Sequence, residues 1–157
     1  MSGDDDGTQS FMYIASRMGL APDVAQAMRE GAMGLSTGLA YVPGTFTPTD
    51  ELVALARTAR EHGGIYISHM RDEGGGVLDS VKETIAIGEA AAIPVQISHH
   101  KVGGRKQFGQ SVQSLALIAA ARARGIDVTF DQYPYLSLIH ISEPTRRTPI
   151  SYAVFCL

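Results

Sequence analysis

The tripeptide Ile-Ser-His ends two apolar runs that lie about 30 residues apart, and this repeat limits the possible folds more than any other feature of the chain. Residues 64–69 and 93–99 are rich in β-branched side chains and are flanked by glycine or proline. Such runs are typical of parallel strands that helices cover on both faces. The spacing is that of one strand-plus-helix unit. The chain is therefore predicted to be α/β, with His69 and His99 at matching ends of neighbouring strands.

Four strands of this kind can be placed along the chain, with a helix after each of the first three. Their starts fall near Met33, Ile65, Ile93 and Ile126. Right-handed crossovers would place them side by side in one parallel sheet, which is half of an eight-unit barrel. A doubly wound open sheet would give the same local pattern. The barrel is favoured because the two histidines and Asp131 lie at strand ends, and because no glycine-rich phosphate loop opens a helix.

Apolar periodicity and capping residues predict five helices. They cover residues 11–18, a helix from Pro22 that stops at Gly31, one from Thr49 that stops at Gly63, one from Val77 to about Ala91, and one that follows the loop 102–110 and stops at Gly125. Thr49 is predicted to be the N-cap of the third helix. In the last helix, Leu115, Ile118 and Ala119 are predicted to face inward. Residues 74–76, three glycines, are predicted to form a flexible loop.

Composition excludes several classes of protein. The chain has 157 residues, of which 45% are hydrophobic and 18% charged, as in one globular unit. A net charge of −3 without a basic run argues against nucleic-acid binding. Because the chain lacks a membrane-length apolar stretch and a signal pattern, no membrane association and a cytoplasmic location are expected. The single cysteine, Cys156, permits neither an intrachain disulfide nor a cysteine-based structural metal site.

The pattern changes after Tyr135. Residues 136–157 resemble the translation of sequencing-adapter DNA, and we interpret them as a non-native tail. The chain is thus divided into a partial barrel at 1–135 and a tail at 136–157. The alternative is a native strand at 136–141 followed by a turn at Pro144.

The strand-end histidines have two possible roles. Neutral imidazole is a good zinc ligand, and histidines on adjacent strands can reach one ion. A histidine in this position can equally donate a hydrogen bond to a backbone carbonyl. His100 should point to the opposite side of the chain from His99, so it is not a predicted ligand.

Two charged residues lie close to these histidines in sequence, and a third, Asp131, ends the last predicted strand. Arg71 and Lys101 each follow a strand-end histidine by two positions, where a cation could meet an anionic substrate group. A solvated or salt-bridged loop charge is the alternative for both residues. Asp131 could be a metal ligand, a general base or a helix-capping group, and the sequence leaves these alternatives open.

Five motifs occur in an order that resembles the middle part of one family, the N-acyl-D-amino-acid deacylases of the amidohydrolase superfamily. They are Gly31–Leu39, Tyr41–Gly44, Ser68–Glu73, Gln96–Lys101 and Asp131–Tyr135. The resemblance covers nearly all of residues 20–135.

This resemblance implies a zinc-dependent hydrolase with a distorted (β/α)8 barrel beside a small β-sandwich. The expected reaction splits the amide of an N-acyl-D-amino acid into a D-amino acid and a carboxylate. His69 and His99 match the family's zinc-binding histidines. Lys101 and Tyr133 match positions that hold the substrate's α-carboxylate, and Tyr41 falls in a loop near the acyl or side-chain pocket.

The resemblance also implies what residues 1–135 lack. The family's first-strand His-x-His pair, its bridging ligand and its late aspartate base are expected outside this range, so no catalytic residue is assigned and the chain itself is expected to be inactive. Two alternatives remain: another amidohydrolase of the hydantoinase or dihydroorotase type, and a non-catalytic α/β binding module.

Overall fold

The computed structural model describes residues 12–13 and 20–133, which form one parallel five-stranded sheet covered by four helices. The strands are β1 (Met12–Tyr13), β2 (Gly34–Gly38), β3 (Ile65–His69), β4 (Val95–Ile97) and β5 (Val128–Phe130). The helices are α1 (Ala21–Arg29), α2 (Thr49–Glu61), α3 (Val77–Ala91) and α4 (Ser111–Ala123), and short 3-10 turns occur at Gly44–Phe46 and Arg105–Gln107.

The strand order is that of a barrel segment. All neighbours pair in parallel, and the order in the sheet is β1-β2-β3-β4-β5, the same as along the chain. A doubly wound sheet would reverse its order at a switch point, and the described strands contain no such reversal. The predicted α/β barrel segment is therefore confirmed, with the carboxyl ends of all five strands at one edge.

Helices cover one face of the described sheet, so the prediction of strands buried on both faces is wrong. Burial in β3 alternates: Tyr66 and Ser68 are fully buried, whereas Ile65, Ile67 and His69 are half-buried. This alternation suits a barrel, whose helices cover only the outer face of the sheet. His69 lies on the face that turns away from the helix layer.

The core between sheet and helices is apolar and continuous. Its largest buried side chains are Tyr66, Leu35, Leu39, Leu52, Met70, Ile87, Ile97 and Ile118. Helices α1 to α4 pack side by side in chain order over this layer. Each helix returns the chain to the amino end of the next strand, so that loops carrying polar residues follow each strand at the opposite edge.

One local prediction about helices is wrong, and another is confirmed only in part. Pro48, not Thr49, is the N-cap residue of α2, and the Thr49 hydroxyl donates a hydrogen bond to Glu83 instead (2.8 Å). In α4 the buried residues are Ser114, Ile118 and Ala121, whereas Leu115 is 44% exposed and Ala119 is exposed. Ile118 is therefore buried as predicted, but its neighbours on the inner face of α4 are small or polar, and a pattern based on large apolar residues does not select them.

The predicted helix at 11–18 lies largely outside the described residues, but its second and third positions form strand β1 and pair with β2. The predicted tail at 136–157 also lies outside them. In the part of the chain that is described, no helix is long and apolar enough to cross a membrane.

Candidate metal centre

Strands β3 and β4 bring the two predicted histidines together. Ser68 pairs with Ile97 in the parallel register, so the strands end side by side. His69 is the last residue of β3, and His99 lies two residues beyond β4. Their ring centroids are 4.4 Å apart in an edge-to-face arrangement. The repeat seen in the sequence thus places both imidazoles at one point on the carboxyl edge of the sheet.

His99 has an unusual backbone conformation that Asp131 supports. Its φ angle is 40°, in the left-handed region that costs about 1–3 kcal/mol for a residue with a side chain. The Asp131 carboxylate accepts the His99 backbone N–H at 2.6 Å and the Gln96 side-chain amide at 2.8 Å. Neither partner belongs to a helix, so Asp131 does not cap a helix as the sequence allowed; it holds the backbone after β4.

Glu73 is the residue that sequence reasoning missed. It lies in the loop after β3, and its Oε1 atom is 2.8 Å from His99 Nδ1. That oxygen is buried and accepts no hydrogen bond. One ligand atom each from His69, Glu73 and His99 lie within 4.8 Å of one another. The sequence signal that could have identified Glu73 is its position, four residues after a strand-end histidine and within the loop that follows this histidine.

The chemistry of this set fits zinc. Imidazole nitrogen and carboxylate oxygen are common zinc ligands. Burial lowers the pKa of His69 below its ordinary value, although the carboxylate of Glu73 opposes this shift, so the ring is neutral and able to bind a metal at neutral pH. The buried Glu73 oxygen that lacks a donor faces His99, and a cation between these atoms would satisfy it.

Lys101 and Tyr133 lie beside this set. The Lys101 ammonium forms an ion pair with Glu73 Oε2 and lies 2.9 Å from His99 Nδ1. It is 5.3 Å from the centre of the Tyr133 ring, within the range of a cation–π contact. The Tyr133 ring centre is 6.3 Å from that of His99. The two residues matched to a carboxylate-binding role are thus adjacent to each other and to the histidines.

Tyr41 lies on the other side of His69. Its ring centroid is 4.8 Å from that of His69, and 59% of the residue is exposed. All five site residues predicted from the sequence therefore surround one point on the sheet edge, and their roles remain predictions.

Arg71 does not point into this site, so its proposed contact with substrate is wrong. Its guanidinium binds Glu83 of α3 and two backbone carbonyls, which is the salt-bridged alternative. Burial opposes ionisation of Glu83, but hydrogen bonds from Arg71 and Thr49 and the charge of Arg71 outweigh it, and the pKa of Glu83 is lowered. Hydrogen bonding to Glu83 raises the pKa of Arg71.

His100 points away from the metal centre, as strand alternation predicts. Its Nε2 atom is 3.0 Å from the Ser114 hydroxyl of α4. Its ring centroid lies 5.4 Å from that of Phe130, in an edge-to-face arrangement. Burial lowers the pKa of His100, so this side chain is a neutral member of the core.

The glycine-rich loop is held by hydrogen bonds, contrary to the predicted flexible loop. The Asp72 carboxylate accepts the backbone N–H groups of Gly74 (2.6 Å) and Gly76 (2.8 Å). A Cβ atom on Gly76 would lie 2.9 Å from Asp72 Oδ2. The Gly103 N–H also donates to the Glu73 carbonyl at 2.6 Å. These contacts fix the backbone on both sides of Glu73 and hence its carboxylate.

Fold and site together define a segment of a parallel α/β barrel in which two histidines and a carboxylate that could hold a metal ion lie at the strand ends. A scan against protein-family models finds no match. Among curated proteins, the chain is 47% identical over 112 residues to a D-aminoacylase of Alcaligenes xylosoxydans xylosoxydans, a match that covers 71% of this chain and 23% of the relative. It is 42% identical over 127 residues to an N-acyl-D-glutamate deacylase of the same organism, covering 81% and 26%.

Solved structures give the same result. A D-aminoacylase whose crystal structure defines a novel subset of amidohydrolases superposes with a TM-score of 0.71 at 41% identity, over 77% of this chain and 26% of that one. An N-acyl-D-glutamate deacylase from Bordetella bronchiseptica, complexed with zinc and a phosphonate mimic of the tetrahedral intermediate, gives 0.73 at 38% identity, over 81% and 27%. The resemblance to N-acyl-D-amino-acid deacylases is therefore confirmed, and the chain spans about a quarter of the length of these relatives.

A D-hydantoinase also superposes, with a TM-score of 0.62 at 13% identity. At that identity the likeness shows the fold alone. It supports the barrel fold and does not favour the hydantoinase alternative over the deacylases.

Proposed function

We propose that this chain carries the metal-binding part of the active site of an N-acyl-D-amino-acid deacylase, with zinc as the metal. The observation that carries the proposal is the convergence of His69, Glu73 and His99, whose ligand atoms lie within 4.8 Å of one another. The matched relatives are a D-aminoacylase and deacylases of N-acyl-D-glutamate and N-acyl-D-aspartate. The substrate class is accordingly a small N-acyl-D-amino acid, which is hydrolysed to a D-amino acid and a carboxylate.

His69, Glu73 and His99 are the residues that hold the metal in this proposal. A zinc ion supplies Lewis acidity, because it lowers the pKa of water and polarises a carbonyl group. Asp131 and the loop hydrogen bonds around Glu73 keep the ligands in place. Such supporting contacts orient ligands and tune the metal.

Lys101 and Tyr133 bind the substrate's α-carboxylate. The ammonium of Lys101 supplies the positive charge, and the Tyr133 ring lies against it. In an N-acyl amino acid the carboxylate and the amide nitrogen share one carbon atom. A carboxylate on Lys101 therefore brings the scissile amide next to His99 and Glu73, which Lys101 touches. Tyr41 forms the wall beside His69.

We further propose that the 157-residue chain alone does not turn over substrate. Hydrolysis needs a group that carries a proton to the leaving amine. Among the described residues near the centre, the Asp131 and Asp72 carboxylates are engaged by backbone N–H groups. The family resemblance assigns this base to a position outside residues 1–135.

A zinc titration tests the metal site. The purified chain is titrated in competition with a chromophoric chelator, together with His69→Ala, His99→Ala and Glu73→Gln. His62→Ala is the matched control, since His62 lies at the end of α2, at the opposite edge of the sheet. Each ligand variant is expected to lose at least about tenfold in zinc affinity, and the control none. Equal affinity in all four variants would favour the non-catalytic binding module.

An activity assay tests the second proposal. The zinc-loaded chain is incubated with N-acetyl-D-methionine, and release of the free amine is measured with and without a chelator. No metal-dependent hydrolysis is expected. A metal-dependent rate that His69→Ala abolishes would show that the chain is catalytically complete and would overturn the proposal of inactivity.

A further inference from the structure

The guanidinium of Arg71 joins three segments of the chain at the rim of the metal centre. It donates to both carboxylate oxygens of Glu83, from Nε at 3.0 Å and from Nη2 at 2.9 Å. It also donates to the backbone carbonyls of Thr45, at 2.6 Å, and Thr47, at 2.9 Å. The Thr49 hydroxyl completes the group with its hydrogen bond to Glu83. The loop after β3, the segment 44–47 and helix α3 are thus connected through one side chain.

Segment 44–47 in turn determines where Tyr41 lies. Because 59% of Tyr41 is exposed, packing does not fix its ring against His69. Its position follows from the backbone, in which the Tyr41 carbonyl accepts the Thr45 N–H at 2.8 Å and the Tyr41 N–H donates to Gly38 at 3.2 Å. Thr45 is also the residue whose carbonyl Arg71 binds. One short chain of hydrogen bonds therefore links Arg71 to the aromatic wall of the site.

We propose that Arg71 and Glu83 are positioning residues for the substrate site: they fasten segment 44–47 so that Tyr41 stands against His69. The effect on substrate rests on the function proposed above, whereas the effect on the segment does not. Arginine suits this task because its planar group offers five N–H donors in a fixed fork. Lysine keeps the charge but cannot reach the four acceptors in this geometry.

Hydrogen exchange followed by mass spectrometry measures the effect on the segment. Arg71→Lys is compared with Arg57→Lys, the same change at an exposed arginine of α2 that also donates to a backbone carbonyl. We expect exchange at residues 41–47 to rise about tenfold in Arg71→Lys and to stay unchanged in the control. Unchanged exchange at 41–47, or an equal rise in helix α1, would overturn the proposal. If Arg71→Lys does not fold, Glu83→Gln provides the same comparison.

Ligand affinity measures the effect on the site. The zinc-loaded wild-type chain, Arg71→Lys and Tyr41→Ala are titrated with N-acetyl-D-methionine. We expect both variants to bind it about fivefold more weakly while zinc affinity stays unchanged. Faster exchange with unchanged N-acetyl-D-methionine affinity would contradict the positioning role. If the wild-type chain binds neither zinc nor N-acetyl-D-methionine, the proposed function fails, and the exchange result still decides whether Arg71 holds the segment.

Discussion

Replacement of Asp131 by alanine is expected to weaken the fold. The wild-type carboxylate accepts the His99 amide at 2.6 Å and the Gln96 side-chain amide at 2.8 Å. Hydrogen bonds to a charged group are worth about 1.5–3 kcal/mol each. Because Asp131 is half-exposed, the lower part of this range applies to it. We expect the free energy of unfolding to fall by about 2–4 kcal/mol.

The same substitution is expected to weaken zinc binding. His99 would lose the partner that holds its left-handed backbone, where φ is 40°. A relaxed backbone turns the imidazole away from His69 and Glu73. Loss of a residue that orients a metal ligand typically costs about 10–100-fold in affinity, and we expect a loss in this range.

Urea denaturation and chelator competition measure the two effects. Asp127→Ala is the matched control, because Asp127 is exposed just before the other end of β5. Asp131→Asn should lie between the wild type and Asp131→Ala, since an amide oxygen still accepts the His99 N–H but carries no charge. The reasoning is refuted if Asp131→Ala matches Asp127→Ala in both stability and zinc affinity.

Two further substitutions and one resequencing experiment test other parts of the chain. The lowered pKa of Glu83 means that its ion pair with Arg71 stabilises the fold fully above about pH 4.3 and is lost as pH falls through the folded-state value. The stability difference between wild type and Glu83→Gln, measured in urea, should therefore shrink from pH 7 to pH 3; a constant difference would contradict this. Gly34→Ala would place a Cβ atom 2.1 Å from a backbone oxygen of β3, and we expect the free energy of unfolding to fall by about 3 kcal/mol. Gly75→Ala, the control, should cost almost nothing, because its Cβ atom would meet no close neighbour. Equal stabilities of the two variants would refute the close approach. Finally, we propose that residues 136–157 are a non-native tail, so that resequencing the source DNA without the adapter should give a different frame from Leu136 onward; a genomic match would show the tail to be native.

The metal centre could be predicted from the sequence where its geometry follows from a local repeat. His69 and His99 end matching strands, and parallel pairing alone brings matching strand ends together. Lys101 follows His99 by only two residues and therefore lies near it. The positions of these residues can therefore be predicted without knowing the path of a loop.

The roles of Glu73 and Arg71 depend on tertiary contacts that a sequence pattern does not reveal. The place of Glu73 depends on how Asp72 and Gly103 hold the loop, and loops have no periodicity to read. The role of Arg71 depends on Glu83 in the following helix. A charged residue near a strand end can face a substrate or a neighbouring segment, and only the tertiary contacts distinguish these roles.

The inner face of α4 illustrates the same difficulty in the core. Ser114 is fully buried because it contacts His100, a partner on the preceding loop. Leu115, the larger apolar residue, is 44% exposed. Hydrophobic periodicity ranks these two residues in the opposite order.

The most direct test of the central claim is to crystallise the zinc-loaded chain and to locate the metal by anomalous scattering at the zinc absorption edge. We expect one dominant peak within bonding distance of His69, Glu73 and His99, at about 2.0–2.2 Å from their nitrogen and oxygen atoms. Zinc bound elsewhere, for example at His62, or at these histidines without Glu73, would contradict the proposed ligand set.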